Sequence, residues 1–250
     1  MKKILKDRLN ENGRNLLIAT ALGDGCINKQ GQLLVNHSWK QREYCICKRD
    51  LLKRNGIKVG TLQRYEGTNG YLNYTIQYRF CTAIHIFNKV LRRVLYDKET
   101  HKRYPRKILN RLSKQGLALW FMDDGTLLRR KYKEHYCGFY LRISTYCSSS
   151  QADEIIQYFK EEWNIHPTKI HESKIKRYDA YTINFGAKEG KKLIEIIKPY
   201  MCPSMMYKVL YDIEELKSYY NIQDVSEILT ESTLESDRLL MEAHTTSIKK

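Results

Sequence analysis

The feature that most constrains this chain is an apolar helix that ends in aspartate and glycine and that occurs twice. Residues 117–125 read LALWFMDDG, and residues 17–25 read LIATALGDG. In each copy a mostly apolar run leads into Asp-Gly, and the glycine suits the left-handed position that closes many helices. The aspartate is poorly placed, because the C-terminal end of a helix carries partial negative charge. One copy alone would indicate a core helix with a solvated turn, but two copies indicate that a cationic group meets both carboxylates.

The apolar pattern around each copy predicts the same order of elements, namely helix, two strands, helix, two strands and helix. Asn12 or Asn15 is the predicted cap of the first helix. In the first half, helices are predicted at 14–24, 41–54 and 84–94, and strands at 32–39, 58–65 and 71–80. In the second half, helices are predicted up to 124 and at 155–163, 193–200 and 203–217, and strands at 129–131, 139–144, 168–175 and 178–185.

The repeat predicts an α+β fold made of a duplicated αββαββα unit with antiparallel sheets and pseudo-two-fold symmetry. We assign residues 1–107 to the first half with its basic linker, 108–217 to the second half, and 218–250 to an acidic extension, either helical or loose. Small residues on the two Asp-ending helices allow a close approach that would bring Asp24 and Asp124 together. These small residues are Ala19, Ala21, Gly23, Gly116 and Ala118.

The charge of the chain indicates a polyanionic partner. Residues 214–250 carry eight acidic and four basic side chains, which leaves 40 basic and 20 acidic residues in 1–213. A charge of +20 on these residues, in a chain that contains nineteen tyrosines, favours nucleic acid. Membrane-surface binding is the alternative, but it would concentrate lysines on one amphipathic helix, and here they are spread along the chain.

Other features of the composition restrict the class of protein. No stretch of 18 apolar residues occurs, which argues against a membrane span, and the basic start lacks the apolar segment of a secretory signal. The seven cysteines form no C-x-x-C pair, so we expect free thiols in a reducing compartment rather than disulfides or a zinc site. The carboxylates of Asp24 and Asp124, if close together and without clustered His or Cys, favour Mg²⁺. This ion prefers oxygen ligands and can activate water for hydrolysis.

The two motifs resemble the paired signature of the LAGLIDADG homing endonucleases, in particular the single-chain, intron-encoded branch. Residues 117–125 are similar to the second motif of that branch, and residues 197–208, IKPYMCPSMMYK, are similar to its C-terminal signature. Ser38-Trp39-Lys40 also matches. The likeness is colinear over about residues 14–211.

The resemblance implies two saddle-shaped sheets over DNA and Mg²⁺-dependent double-strand cleavage at a long asymmetric target, leaving 3′ overhangs. It implies that Mn²⁺ substitutes and that Ca²⁺ binds without supporting cleavage. The implied catalytic residues are Asp24, Asp124, Lys208 and Lys102, with Arg103 or Lys107 as alternatives to Lys102. The implied metal site comprises Asp24, Asp124, Gly23 and Asp123. Asp123 is interpreted as a surface acid, with a supporting role beside the metal as the alternative.

Polar faces of the predicted strands supply candidate DNA contacts. On the strand at 71–80, polar residues alternate with apolar ones, and Gln and Arg can form bidentate contacts with adenine and guanine. A merely solvated face is the alternative. The predicted DNA-binding residues are Trp39, Lys40, Arg64, Asn73, Thr75, Gln77, Arg79, Arg129, Arg130, Tyr140, Arg142, Lys174, Lys176, Arg177, Thr182 and Asn184.

We therefore expect a monomer that acts on double-stranded DNA, with no membrane partner, in the DNA-containing compartment of its host. That compartment is a bacterial or phage-infected cytoplasm, or an organelle matrix. Two binding functions remain as alternatives: an RNA maturase acting on its own intron RNA, and a DNA binder that has lost cleavage. Because loss of cutting usually begins at a motif acid and both acids are present, the nuclease is favoured.

Overall fold

The computed structural model describes residues 9–68, 74–97, 102–132, 135–172 and 180–225. These residues form two compact units. The first contains the described residues up to Asp123 together with Tyr200–Ser204, and the second contains Asp124–Pro199 and the described residues from Met205 onward. The chain thus passes from one unit to the other between Asp123 and Asp124, whereas the division at 107 stays a prediction about the repeated sequence.

The first unit is built on a four-stranded antiparallel sheet with the strand order β1-β2-β4-β3. A short 3-10 helix, Trp39–Gln41, joins the second strand to the second helix. The elements are α1 (Glu11–Leu22), β1 (Cys26–Ile27), β2 (Leu33–Ser38), α2 (Arg42–Arg54), β3 (Gln63–Thr68), β4 (Tyr74–Cys81), α3 (Ile86–Leu95), α4 (Arg106–Leu109) and α5 (Lys114–Asp124).

The second unit repeats this topology, with the strand order β5-β6-β8-β7 and antiparallel pairing throughout. The matching orders confirm the predicted duplicated α+β fold. The elements are β5 (Gly125–Tyr132), β6 (His135–Cys147), α6 (Ser149–Trp163), β7 (Thr168–His171), β8 (Tyr181–Phe185), α7 (Ala187–Ile197) and α8 (Ile213–Tyr220), with 3-10 helices at Lys198–Tyr200 and Pro203–Lys208. Among the described residues, no helix is both long enough and apolar enough to cross a membrane.

Helices α1 and α5 lie at the centre of the first unit and contact each other at both ends. Every residue of α5 from Gly116 to Met122 is buried, as expected of a helix that is apolar on all sides. At the N-terminal ends, Oδ1 of Asn15 accepts the hydroxyl of Ser113 at 2.8 Å. At the C-terminal ends, a Cβ on Gly23 would lie 2.7 Å from Cγ of Asp123. The close approach predicted from small residues is therefore confirmed at Gly23.

Several local predictions were wrong, for identifiable reasons. Asn10, rather than Asn12 or Asn15, caps α1, because its side chain accepts the Gly13 N–H at 2.6 Å. Neither Gly25 nor Gly125 has a positive φ; Gly25 instead needs space, since a Cβ there would lie 2.5 Å from the carbonyl oxygen of Thr20. The predicted helix at 203–217 is divided, because Asp212 caps a new helix by accepting the Glu215 N–H at 2.9 Å.

The expectation of seven free thiols is also wrong. Cys47 on α2 forms a disulfide with Cys202, and 155 positions of sequence separate them. The other five cysteines are free, namely Cys26, Cys45, Cys81, Cys137 and Cys147. Two cysteines so far apart in the sequence form no local spacing pattern that would predict a disulfide. Only the fold brings their side chains together.

Candidate active site and nucleic-acid interface

The loop after α1 presents the first motif aspartate. The Gly23 N–H donates to the carbonyl of Ala19 at 3.1 Å, and the Gly25 N–H donates to that of Thr20 at 2.8 Å. These two bonds hold the backbone on both sides of Asp24, whose side chain is 37% exposed. The first motif thus places a carboxylate at the surface on a fixed stretch of backbone.

Asp123 was interpreted from the sequence as a surface acid, and this is wrong. Its side chain is fully buried and forms an ion pair with Lys48, which is equally buried. Oδ1 of Asp123 also accepts the hydroxyl of Tyr44 at 2.5 Å, and Oδ2 accepts the backbone N–H of Asp24 at 3.0 Å. No local pattern indicated this environment, because Tyr44 and Lys48 belong to a different helix.

The electrostatics of this pocket keep Asp123 ionised. Burial opposes the charged form, but the nearby ammonium group of Lys48, with hydrogen bonds from Lys48 and Tyr44, lowers the pKa of Asp123 below its ordinary value. Burial raises the pKa of the neighbouring Cys45 thiol to about 11, so that thiol stays neutral near pH 7. The pocket therefore contains one carboxylate paired with one ammonium group and no reactive thiolate.

Asp24, His37 and Asp123 form a group whose ligand atoms lie within 4.8 Å of one another. Asp123 is already neutralised by Lys48, and Nε2 of His37 lies 3.0 Å from Nζ of Lys48. Asp24 is therefore the exposed oxygen donor of this group. An exposed carboxylate fits a hard cation such as Mg²⁺, whereas Asp123 does not fit the metal-ligand role that the family resemblance implied.

Lys102 lies at the C-terminal end of α1. Its Nζ donates to the carbonyl oxygen of Leu22 at 3.1 Å and to that of Gly23. The ammonium group thus compensates the partial negative charge of the helix end, next to the residue that carries the first acid. A metal ion on the Gly23 carbonyl would share that oxygen with Lys102.

The second motif acid and the second predicted lysine belong to the second unit. Asp124 ends α5 and is partly exposed, directly before the first strand of the sheet. Lys208 is the last residue of the 3-10 helix Pro203–Lys208 and is 8% exposed. Their catalytic roles remain predictions that rest on the motifs.

The first sheet has a polar face that collects several predicted DNA contacts. Asn36 pairs with Arg79 in the register of β2 and β4, and its amide donates to Oε1 of Gln77 at 2.6 Å. Thr75 follows the same alternation on β4. Arg64 does not join them, because it pairs with Tyr78 and therefore lies on the opposite face, where it forms an ion pair with Glu66 at 2.5 Å. Trp39 and Lys40 are exposed in the 3-10 helix that follows β2, while Asn73 lies outside the described residues.

The second sheet separates its predicted contacts in the same way. Cross-strand pairing places Thr126 opposite Arg142 and Arg142 opposite Asn184. Arg130, Tyr140 and Thr182 share this face by strand alternation, although Tyr140 and Thr182 are buried.

Arg129 points to the other side of the second sheet. It is buried, and its guanidinium donates to the carbonyl of Leu210. The three basic residues predicted at the tip of the last hairpin lie outside the described part of the chain, namely Lys174, Lys176 and Arg177.

The sequence analysis missed the residues that surround Asp123. Tyr44 and Lys48 are four positions apart on α2, and this spacing places them on one face of the helix. His37 is the last buried position of the alternating strand β2. Their helix spacing and strand alternation were visible in the sequence, but nothing in it indicated that they face Asp123.

Comparisons with known proteins agree with this architecture. The LAGLIDADG DNA endonuclease family matches residues 14–193. The chain is 26% identical to probable intron-encoded endonuclease 1 of Wickerhamomyces canadensis, over 84% of this chain and 92% of that protein. It is 31% identical to probable intron-encoded DNA endonuclease 3 of Mycosarcoma maydis, over 41% of this chain and 67% of that protein.

A solved structure shares the fold. The homing endonuclease I-WcaI bound to its DNA recognition sequence superposes with a TM-score of 0.68 and 22% identity, covering 82% of this chain and 88% of that one. The family match spans most of the chain and both acidic motifs. This chain belongs to the LAGLIDADG DNA endonuclease family.

Proposed function

We propose that this protein is a site-specific endonuclease that hydrolyses both strands of a long, asymmetric DNA target and leaves 3′ overhangs. The observation that carries the proposal is the exposed carboxylate of Asp24, held at the end of α1 beside the end of α5. Asp124, the next residue after Asp123, supplies the second motif acid. A helix that ends in an acid in each of the two units suits a metal-dependent hydrolase better than a binding module.

In the proposed reaction, Asp24 in the first unit and Asp124 in the second would each serve as an oxygen ligand for Mg²⁺. The bound metal would polarise the scissile phosphate and lower the pKa of attacking water. The exposed Asp24 side chain offers the hard oxygen ligand that Mg²⁺ prefers, and we expect Mn²⁺ to substitute and Ca²⁺ to bind without cleavage. Lys102 lies beside the Asp24 loop and would meet the charge of a nearby phosphate, and Lys208 would do so in the second unit.

DNA recognition is assigned to the polar faces of the two sheets. The first offers Asn36, Gln77 and Arg79, whose amide and guanidinium groups match base edges in the major groove. On the second, Arg142 and Asn184 pair across β6 and β8 on the polar face, and their guanidinium and amide groups offer the same kind of contact.

Double-stranded DNA is the proposed partner of the protein. We propose that it acts as a monomer on double-stranded DNA in the DNA-containing compartment of its host. Binding to its own intron RNA remains a further proposal.

Cleavage of a DNA library tests the proposal. The protein is incubated with randomised long duplexes in Mg²⁺ and in EDTA, and the broken ends are sequenced. We expect double-strand breaks at one sequence in Mg²⁺ alone, with 3′ overhangs. Asp24→Asn and Asp124→Asn should each abolish double-strand cutting, while Asp50→Asn, at an acid on α2, should leave it intact. Normal double-strand cutting by either motif variant would refute the assignment.

A further inference from the structure

A buried chain of polar side chains leads from α2 to the loop that carries Asp24. Tyr44 and Lys48 lie one turn apart on α2 and leave the same face of that helix. Both donate to Oδ1 of Asp123. The side chains of Lys48 and Asp123 are each 0% exposed, so their charges are removed from water as a pair.

The other oxygen of Asp123 reaches the first motif. Oδ2 accepts the backbone N–H of Asp24 at 3.0 Å. Gly23 permits this contact, because a Cβ at that position would lie 2.5 Å from Cβ of Asp123. Asp123 thereby fixes the backbone of Asp24 while its own charge is met by Lys48.

A second branch of the same network reaches the carboxylate of Asp24. Lys48 Nζ lies 3.0 Å from Nε2 of His37. An ammonium group only donates, so Nε2 accepts and Nδ1 carries the ring proton. Nδ1 lies 3.1 Å from Oε1 of Gln41 and 3.5 Å from Oδ2 of Asp24. Asp24 is therefore contacted at its backbone and at its carboxylate by two ends of one network.

We propose that Lys48, Asp123 and His37 are positioning residues that hold Asp24 in its working orientation, and that Asp123 does not bind metal itself. The proposal rests on the role assigned to Asp24 above. Stability alone does not explain the pair, because well-packed apolar side chains often replace a buried ion pair without loss. The orientation of Asp24 does explain the pair, since only an oxygen acceptor at position 123 can accept the hydrogen bond from the Asp24 N–H.

Two double variants separate orientation from stability. Lys48→Met with Asp123→Asn, and Lys48→Met with Asp123→Leu, both remove the charge pair, but only Asn keeps an oxygen acceptor for the Asp24 N–H. We expect both to melt near the wild-type temperature and to bind the selected duplex in EDTA with unchanged Kd. The single-turnover cleavage rate in Mg²⁺ should be ~10-fold or more lower for the Leu variant than for the Asn variant, because small misplacements of reacting groups slow chemistry.

His37→Leu gives an independent test that leaves the ion pair in place. This variant should cleave more slowly, with unchanged Kd and melting temperature. If the Leu double variant fails to fold, the cleavage rate of His37→Leu tests the proposal on its own. Equal, wild-type rates in the two double variants, or a wild-type rate in His37→Leu, would overturn the proposal. Asp24→Asn is measured in parallel. If this variant cuts at the wild-type rate, the proposed function is refuted. If it is inactive while the Leu double variant is fully active, the positioning role is refuted and the proposed function stands.

Discussion

Oδ2 of Asp123 accepts the backbone N–H of Asp24 at 3.0 Å, so an acid of the second motif anchors the acid of the first. Asp123 and Asp124 are adjacent in sequence but differ in environment. Asp123 has a fully buried side chain paired with Lys48, whereas Asp124 is partly exposed where the helix ends. These environments agree with the proposed roles, in which the buried acid positions Asp24 and the partly exposed acid binds metal.

The ion pair predicts how stability depends on pH. The pKa of Asp123 is lowered in the folded protein from its ordinary value of 3.8, so its stabilising effect is complete above about pH 4 and is lost as pH falls further. We expect the urea midpoint of the wild type to fall more steeply below about pH 4 than that of the Lys48→Met, Asp123→Leu variant. Parallel curves for the two proteins would contradict this.

Two adjacent arginines on β5 should behave differently. Arg129 is buried and donates to the Leu210 carbonyl, whereas Arg130 is exposed on the opposite face. Arg129→Met should lower the free energy of unfolding by about 1–3 kcal/mol by leaving that carbonyl unsatisfied, with little effect on the salt dependence of DNA binding. Arg130→Met should spare stability and reduce the salt slope by about 1 if it contacts phosphate. Urea titration measures the stability of the two variants, and DNA binding over a salt series measures their salt slopes. An unchanged stability of Arg129→Met would contradict the importance of its buried hydrogen bond.

The sequence predicted the elements that a local pattern encodes and missed the contacts that only the fold creates. The alternation of residues 72–80 correctly predicted β4, and the two Asp-Gly motifs correctly indicated duplication. Alternation does not say which residues lie opposite one another, so Arg64 and Arg129 were grouped with residues on the other face. The Lys48–Asp123 pair joins residues 75 positions apart, and the Cys47–Cys202 bond joins residues 155 positions apart. No local sequence pattern predicts contacts over such separations.

The polar face of the first sheet predicts a pair of contrasting variants. Gln77→Ala should relax base preference near one target position by about 1–3 kcal/mol, the usual value of a bidentate contact. Arg64→Ala, on the opposite face of the same sheet, should leave the preference profile unchanged. Cleavage of a library of single-base target variants measures both profiles. A uniform loss of affinity over all sequences in Gln77→Ala would instead identify a phosphate contact.

The disulfide predicts sensitivity to reductant. A bond that closes a long loop stabilises a protein by about 2–5 kcal/mol, chiefly by restricting the unfolded chain. We expect dithiothreitol to lower the urea midpoint of the wild type and to have no effect on Cys47→Ser, Cys202→Ser, which should already unfold at the lower value. Cys26→Ser, at an exposed free thiol, serves as the control and should respond as the wild type does. If dithiothreitol left the urea midpoint of the wild type unchanged, the disulfide would add nothing to stability.

Lys102 should matter more for cleavage than for folding. Its contacts with the carbonyls of Leu22 and Gly23 place its ammonium group beside the Asp24 loop. Lys102→Met should lower the single-turnover cleavage rate by about 10²-fold, as loss of a positioned charge typically does, while lost compensation of the helix end should cost only about 0.3–1 kcal/mol of stability.

Lys107→Met on α4 is the matched control, because it removes an equal charge from one of the alternative positions for the catalytic lysine. Rates measured on the selected target at saturating protein, with Kd determined in EDTA, separate chemistry from binding. If Lys107→Met lost cutting while Lys102→Met kept it, the catalytic lysine of the first half would be Lys107, and the contacts of Lys102 would serve only to cap α1.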